Sequence, residues 1–248
     1  MSVESRESQV ATRVYEVGGK TKASGWDWAL GLLSSVAFLV ALAMVFGYAP
    51  REATMGEIQR IFYFHVASAW VGFFGFSVTF VAGILYLVRS QRRWDILGLS
   101  SAEVGLAFIT MAVVTGSLWA GPVWGTYWTW EPRLTISAVQ LLLYVAYVML
   151  RASTANEERI ARFAAVYGIV AFVTVPLSWF AIRWWRTIHP EIVSSEGMGL
   201  APPMRMTLFV SLAAFTLLYA ALLRQRMRLE SARDRLTAAQ GRLAPEEW

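Results

Sequence analysis

Only two histidines, His65 and His189, occur in this chain of 248 residues, which contains no cysteine. A neutral imidazole is a ready metal ligand, and two of them can hold one iron from opposite sides of a planar macrocycle. His65 stands in FYFHVASAW and His189 in RWWRTIHP. Between them in sequence lie Trp119, Trp124, Trp128 and Trp130, all within twelve residues. An aromatic belt at a membrane boundary accounts for Trp28, Trp94 and Trp179. Four indoles so closely spaced exceed what a belt needs and offer a flat platform for a planar ligand. Arg133, Arg183 and Arg186 add guanidinium forks suited to carboxylates on such a ligand, or equally to lipid headgroups. Trp184 and Trp185 either extend the ring surface or anchor a helix end. The absence of cysteine rules out a thiolate metal site, a disulfide framework and covalent haem attachment through C-x-x-C-H.

The elements that must position these residues are membrane helices. Apolar residues make up 56% of the chain, charged residues 16%, and the mean hydropathy is +0.47. A soluble domain carries about 25% charged residues. Six apolar runs, Trp28–Tyr48, Phe62–Val88, Leu97–Trp119, Leu134–Leu150, Phe163–Ile182 and Met206–Leu223, hold a single formal charge, Glu103. Each is near the ~20 residues that cross a bilayer. The fold expected is therefore an all-α integral membrane protein of six transmembrane helices. Sixteen of the 22 Lys and Arg fall in the leader, the second and fourth loops and the tail, which places both termini in the cytoplasm by the positive-inside rule. That topology explains the basic pI without nucleic acid. Both histidines and the tryptophan segment then share the outer face. The domain plan is a cytoplasmic leader (residues 1–26), a six-span unit (27–223) with the Trp-rich segment at 119–135, and a cytoplasmic basic tail (224–248).

Within that plan, Pro122 is expected to start and Pro132 to end a short outer helical turn that puts Trp124 and Trp128 on one face. Gly72, Gly75, Gly83 and the Gly116-Ser117 pair suit close helix contact, and Gln140 suits an interhelical hydrogen bond. Glu103 reads as structural, at a helix start, or as a functional membrane carboxylate. The tail, alternating Arg with Leu, Met and Ala, reads as a helix lying along anionic headgroups, or as a dock for a cytoplasmic ATPase subunit.

WGTYWTWEPRLT, from Trp124 to Thr135, resembles the tryptophan-rich WWD signature of haem-handling proteins, usually WGxxWxWDxRLT. With six spans, about 250 residues and flanking outer histidines, the chain resembles the CcmC family, haem exporter protein C of cytochrome c maturation. Glu131 stands where the signature has Asp, one methylene longer. The resemblance implies a carrier rather than an enzyme, in the inner (plasma) membrane. It implies that b-type haem is held at the outer face by His65 and His189 as axial ligands. Trp119, Trp124, Trp128, Trp130, Glu131, Arg133 and Trp184 would surround it. Delivery would be to a CcmE-type periplasmic haem chaperone, with CcmA/CcmB-type ABC transporter subunits and a CcmD-type small membrane protein as partners. The competing readings are a membrane haem lyase that shares the platform, a b-type electron-transfer subunit and a permease. The electron-transfer reading is opposed by the lack of histidines deep in the spans, and the permease by the lack of polar or broken helices near the midplane. On ordinary histidine chemistry, haem retention should fall below about pH 6.

Overall fold

A computed structural model describes residues 24–153, 157–185, 187–190, 193–194 and 197–243. Most of the leader, Arg186 and the last five residues lie outside that set. Helix α1 (Gly25–Ala43) is extended by a π turn (Met44–Tyr48), and a 3-10 turn (Glu57–Gln59) leads into α2 (Arg60–Arg89). Helices α3 (Arg92–Trp124), α4 (Pro132–Arg151), α5 (Glu157–Ala171) and α6 (Thr174–Trp184) follow. A two-residue hairpin, β1 (Val193–Ser194) and β2 (Gly197–Met198), precedes α7 (Pro202–Leu243). Six helical stretches are long and apolar enough to cross a membrane, with α5 and α6 together making the fifth. The protein is an all-α, multi-pass membrane protein.

Helices α2 and α3 form the central pair, with α1 and α7 on one flank and α4, α5 and α6 on the other. Small residues set their closeness, since without a solvent drive membrane helices associate through tight packing. A Cβ on Gly75 would lie 3.0 Å from the Cα of Gly105, and one on Gly72 3.1 Å from the Cβ of Ile109. Gly83 does the same against the Ala165 carbonyl on α5, at 3.1 Å. The Ser101 hydroxyl bonds the Gly75 carbonyl (2.7 Å) and lies 2.6 Å from the Tyr219 hydroxyl, tying α2, α3 and α7 together.

Charge gathers at the end of the bundle away from the tryptophans. Ser24 and Asp27 form a capping box at the start of α1, and Asp27 also takes Arg224 and Arg228 from α7. Glu103 lies well inside α3 rather than at a helix start, and pairs with Arg226. Arg92 pairs with Asp95 and, on α7, with Asp234 at 2.8 Å. These pairs revise the reading of the tail. It continues α7 as one helix of 42 residues, and Arg224, Arg226 and Arg228 pair with acids of the chain itself.

Four further expectations change. The Trp-rich segment is helical only as far as Trp124, because Pro122 sits inside α3 and Gly125 (φ 74°) ends it. Pro132 opens α4 rather than closing a turn, since its fixed φ and missing N–H suit a first helical position. The fifth span breaks after Ala171, four to five residues ahead of Pro176, which has no N–H to offer the Phe172 carbonyl. Gln140 is fully buried, yet neither its amide nitrogen nor its oxygen has a hydrogen-bond partner.

The two-ended charge distribution predicts a topology. Reporter fusions after Arg93 and Arg226 should register cytoplasm, and fusions at Gly125 and Ser194 the outside. A cytoplasmic signal from Gly125 would put the tryptophans on the wrong face.

Candidate haem-binding cleft

At the tryptophan end, one helical face of α2 (Phe62, His65, Ala69, Phe73) opposes one of α3 (Ile109, Ala112, Gly116, Trp119). The cleft between them, about 90 Å³, is closed by Trp124, Trp128, Arg133 and His189. Its walls are mostly apolar with a few convergent polar groups, the lining usual for a ligand site, and a large planar ligand would have to part them.

The histidines face this space together. Their ring centroids are 6.2 Å apart with planes inclined at 40°. Nδ1 of His65 lies 2.8 Å from the Ala112 carbonyl, and Nδ1 of His189 lies 3.2 Å from the Pro190 carbonyl. A carbonyl only accepts, so each Nδ1 carries the proton and donates it, which leaves each Nε2 with a free lone pair. Burial, then the Arg133 cation and the neighbouring His65, push His189 down to about 3. It is therefore neutral at physiological pH.

Gly116 makes the seat of His65 possible. A Cβ there would lie 2.7 Å from Cε1 and 3.0 Å from Nδ1 of the imidazole. Gly116→Ala should therefore displace the ring from the Ala112 carbonyl, at about 1–3 kcal/mol for an overpacked site. Its readout is an altered His65 ring resonance in the haem-free protein, and an unshifted resonance would show that the ring does not depend on the glycine.

Trp119 and Trp124 meet edge to face at 5.1 Å, and Trp124 approaches the His189 ring at 6.5 Å. The buried indole N–H groups of Trp119 and Trp128 have no hydrogen-bond partner among the described residues. The Arg133 guanidinium makes no ion pair among the described residues, though it lines the cleft. Unsatisfied buried donors and an unpaired cation are costly unless a ligand meets them. Glu131 accepts a hydrogen bond from the Thr187 hydroxyl, which in turn accepts the His189 backbone N–H at 3.1 Å.

Of the residues expected from sequence, the structure gathers His65, His189, Trp119, Trp124, Trp128 and Arg133 on the cleft, with Glu131 behind His189. It does not gather Trp130 or Trp184. Trp130 is 77% exposed, touching Trp128 edge to face from outside. Trp184 stacks on Phe180 one turn back along α6, on an exposed face of that helix. Arg186 lies outside the described residues. Thr187, Tyr127 and the Ala112 carbonyl carry no sequence signal of their own, and only proximity reveals them.

The matched sequence spans this whole arrangement. A profile of the family described as CcmC, Heme exporter protein C, covers residues 12–242. The chain belongs to that family. Heme exporter protein C of Bradyrhizobium diazoefficiens is 34% identical over 194 residues, 77% of this chain and 74% of its own. That of Escherichia coli strain K12 is 31% identical over 221 residues, 88% of this chain and 87% of its own. That of Paracoccus denitrificans is 29% identical over 211 residues, 84% and 88% respectively. Both histidines, the tryptophan segment and the helices that carry them thus lie within the family's profile.

Proposed function

We propose that this member of the family takes haem as its cargo, holding it between His65 and His189 at the outer face of the inner membrane during c-type cytochrome maturation. The spacing of the two rings carries the reading. Two metal–imidazole bonds of about 2 Å, with each nitrogen about 1.1 Å from its ring centre, place opposed ring centres about 6.3 Å apart. The observed separation is 6.2 Å, and both Nε2 atoms are the unprotonated ones. The chemistry of the donor set therefore fits a bis-imidazole haem.

The chain's own residues divide the work. His65 and His189 supply the axial lone pairs. Trp119, Trp124 and Trp128 cover apolar ring surface and keep water away. Arg133 and the free indole N–H groups meet the carboxylates of the cargo, for which guanidinium and N–H donors are suited. Trp130 and Trp184 are left out of the contact. No side chain has to act as a nucleophile or a general acid, so the chain works as a carrier component. The recipient is a CcmE-type periplasmic chaperone, and the complex includes CcmA/CcmB-type ABC transporter subunits and a CcmD-type small protein.

Transfer tests the reading directly. Haem-loaded protein in detergent should pass haem to the purified chaperone and not form a thioether-linked product with apocytochrome. Covalent attachment to apocytochrome without the chaperone would make the protein a haem lyase instead.

A further inference from the structure

We propose that Thr187 is a positioning residue, a hydroxyl clasp that couples Glu131 of the tryptophan segment to the backbone of His189. The proposal deepens the bis-histidine reading and rests on it for its consequence, though not for its geometry.

Glu131 occupies the N-cap of α4, with extended backbone angles (φ −67°, ψ 159°). An acidic side chain there ordinarily bonds the first free N–H groups of its own helix, which gain from the negative charge. Glu131 makes no such cap. Its Oε2 accepts from the Thr187 hydroxyl instead, across 56 residues of sequence. The hydroxyl has one proton to give and lone pairs to spare, so Thr187 donates to the carboxylate and accepts the His189 N–H at 3.1 Å in the same geometry. A hydrogen bond to an ionised acceptor is roughly twice as strong as a neutral one. The chain Glu131–Thr187–His189 therefore runs from the rigid start of α4 to the loop after α6.

Within residues 187–190, the hydrogen bond that reaches another element is the one from Thr187 to Glu131. His189 lies between the end of α6 and the hairpin, outside any helix, whereas His65 is built into α2 and backed by α3. One ligand is thus set by packed helices and the other by a loop, and the clasp is what brings the loop ligand to a fixed separation from the helical one.

Two measurements on three variants test the clasp. Thr187→Val keeps the shape and removes the hydroxyl; Thr187→Ser keeps the hydroxyl; Thr187→Ala removes both hydroxyl and methyl. In the haem-free protein, hydrogen exchange at the His189 amide should speed up by about tenfold or more in the Val and Ala variants and stay near wild type in the Ser variant. In the haem-loaded protein, the Val variant should shift from low-spin toward high-spin and lose haem about tenfold faster, and added imidazole should restore the low-spin band. Exchange unchanged in the Val variant would overturn the clasp. Faster exchange with an unchanged low-spin spectrum would keep the clasp but show that His189 is not an iron ligand, so that the ligation reading fails by itself.

Discussion

Replacing His65 and His189 together by Ala should remove most bound haem, leaving only what ring stacking and apolar burial retain. Each single Ala variant should lose the low-spin band, become five-coordinate or water-bound, and release haem at least about tenfold faster. The double variant should fall by about a hundredfold or more, because no other His, Cys, Asp or Glu cluster able to hold a metal exists among the described residues. Free imidazole should refill the vacant position in either single variant, since the cleft walls that cover the ring remain. Absorption spectra of the detergent-purified protein decide the outcome. An unchanged low-spin spectrum in the double variant would mean that the cleft holds haem through some other ligand.

The same cleft changes the expected pH response. His189 is held down to about 3 by burial, Arg133 and His65, against about 6.5 in the unfolded chain. Between those values the unfolded chain binds a proton that the folded one does not, so acid lowers stability progressively below about pH 6.5. Haem retention should therefore persist below pH 6 while the protein stays folded, and its loss should track unfolding. Tryptophan fluorescence and the haem band followed together through an acid titration would separate the two. Loss of the low-spin band near pH 6 with fluorescence unchanged would show that His189 protonates in place.

The second large effect concerns stability at the opposite end. Asp95, with 4% of its side chain exposed, contacts Arg92 and bonds Arg151 at 2.9 Å, and the Arg151 side chain is only 7% exposed. Arg151 Nε already lacks a partner among the described residues. Asp95→Ala should leave that buried cation uncompensated, at a cost of about 3–5 kcal/mol. Replacing the pair together, Asp95→Leu with Arg151→Met, should recover much of the loss, because the desolvation of both charges disappears with them. Reversible unfolding in mixed micelles reads both values. A single Asp95→Ala variant as stable as the parent would show that Arg151 finds another counter-charge or water. The haem spectrum of any folded Asp95 variant should match wild type, since the site lies at the other end of the bundle.

The tryptophan-rich signature that this segment resembles has aspartate where the chain has Glu131, so Glu131→Asp is an informative exchange. The expectation from sequence is tolerance in haem delivery, whereas Glu131→Lys should weaken it by bringing a cation against Arg133 and Thr187. Full cytochrome assembly in the Lys variant would show that the acid is dispensable.

Hydrophobic run lengths were enough to determine six helical crossings, because a bilayer imposes a length and forbids unpaired backbone. The tryptophan segment and the two histidines were legible for a similar reason: their residue types are scarce elsewhere and their chemistry is specific. What sequence could not supply was who faces whom. Trp130 stands two residues from Trp128, yet Trp128 lines the cleft while Trp130 is exposed, and both Trp184 and Trp185 stay outside it. The sequence reading starts a helical turn at Pro122, whereas the residue sits inside α3, just before its end at Trp124. The tail's arginines looked free for lipid until α7 brought them against Asp27, Glu103 and Glu230, partners from three separate stretches of chain. The seat of His65 at Gly116 and the clasp through Thr187 span 51 and 56 residues. Contacts at that distance depend on how helices pack, and packing is a property of the folded chain, not of any local pattern within it.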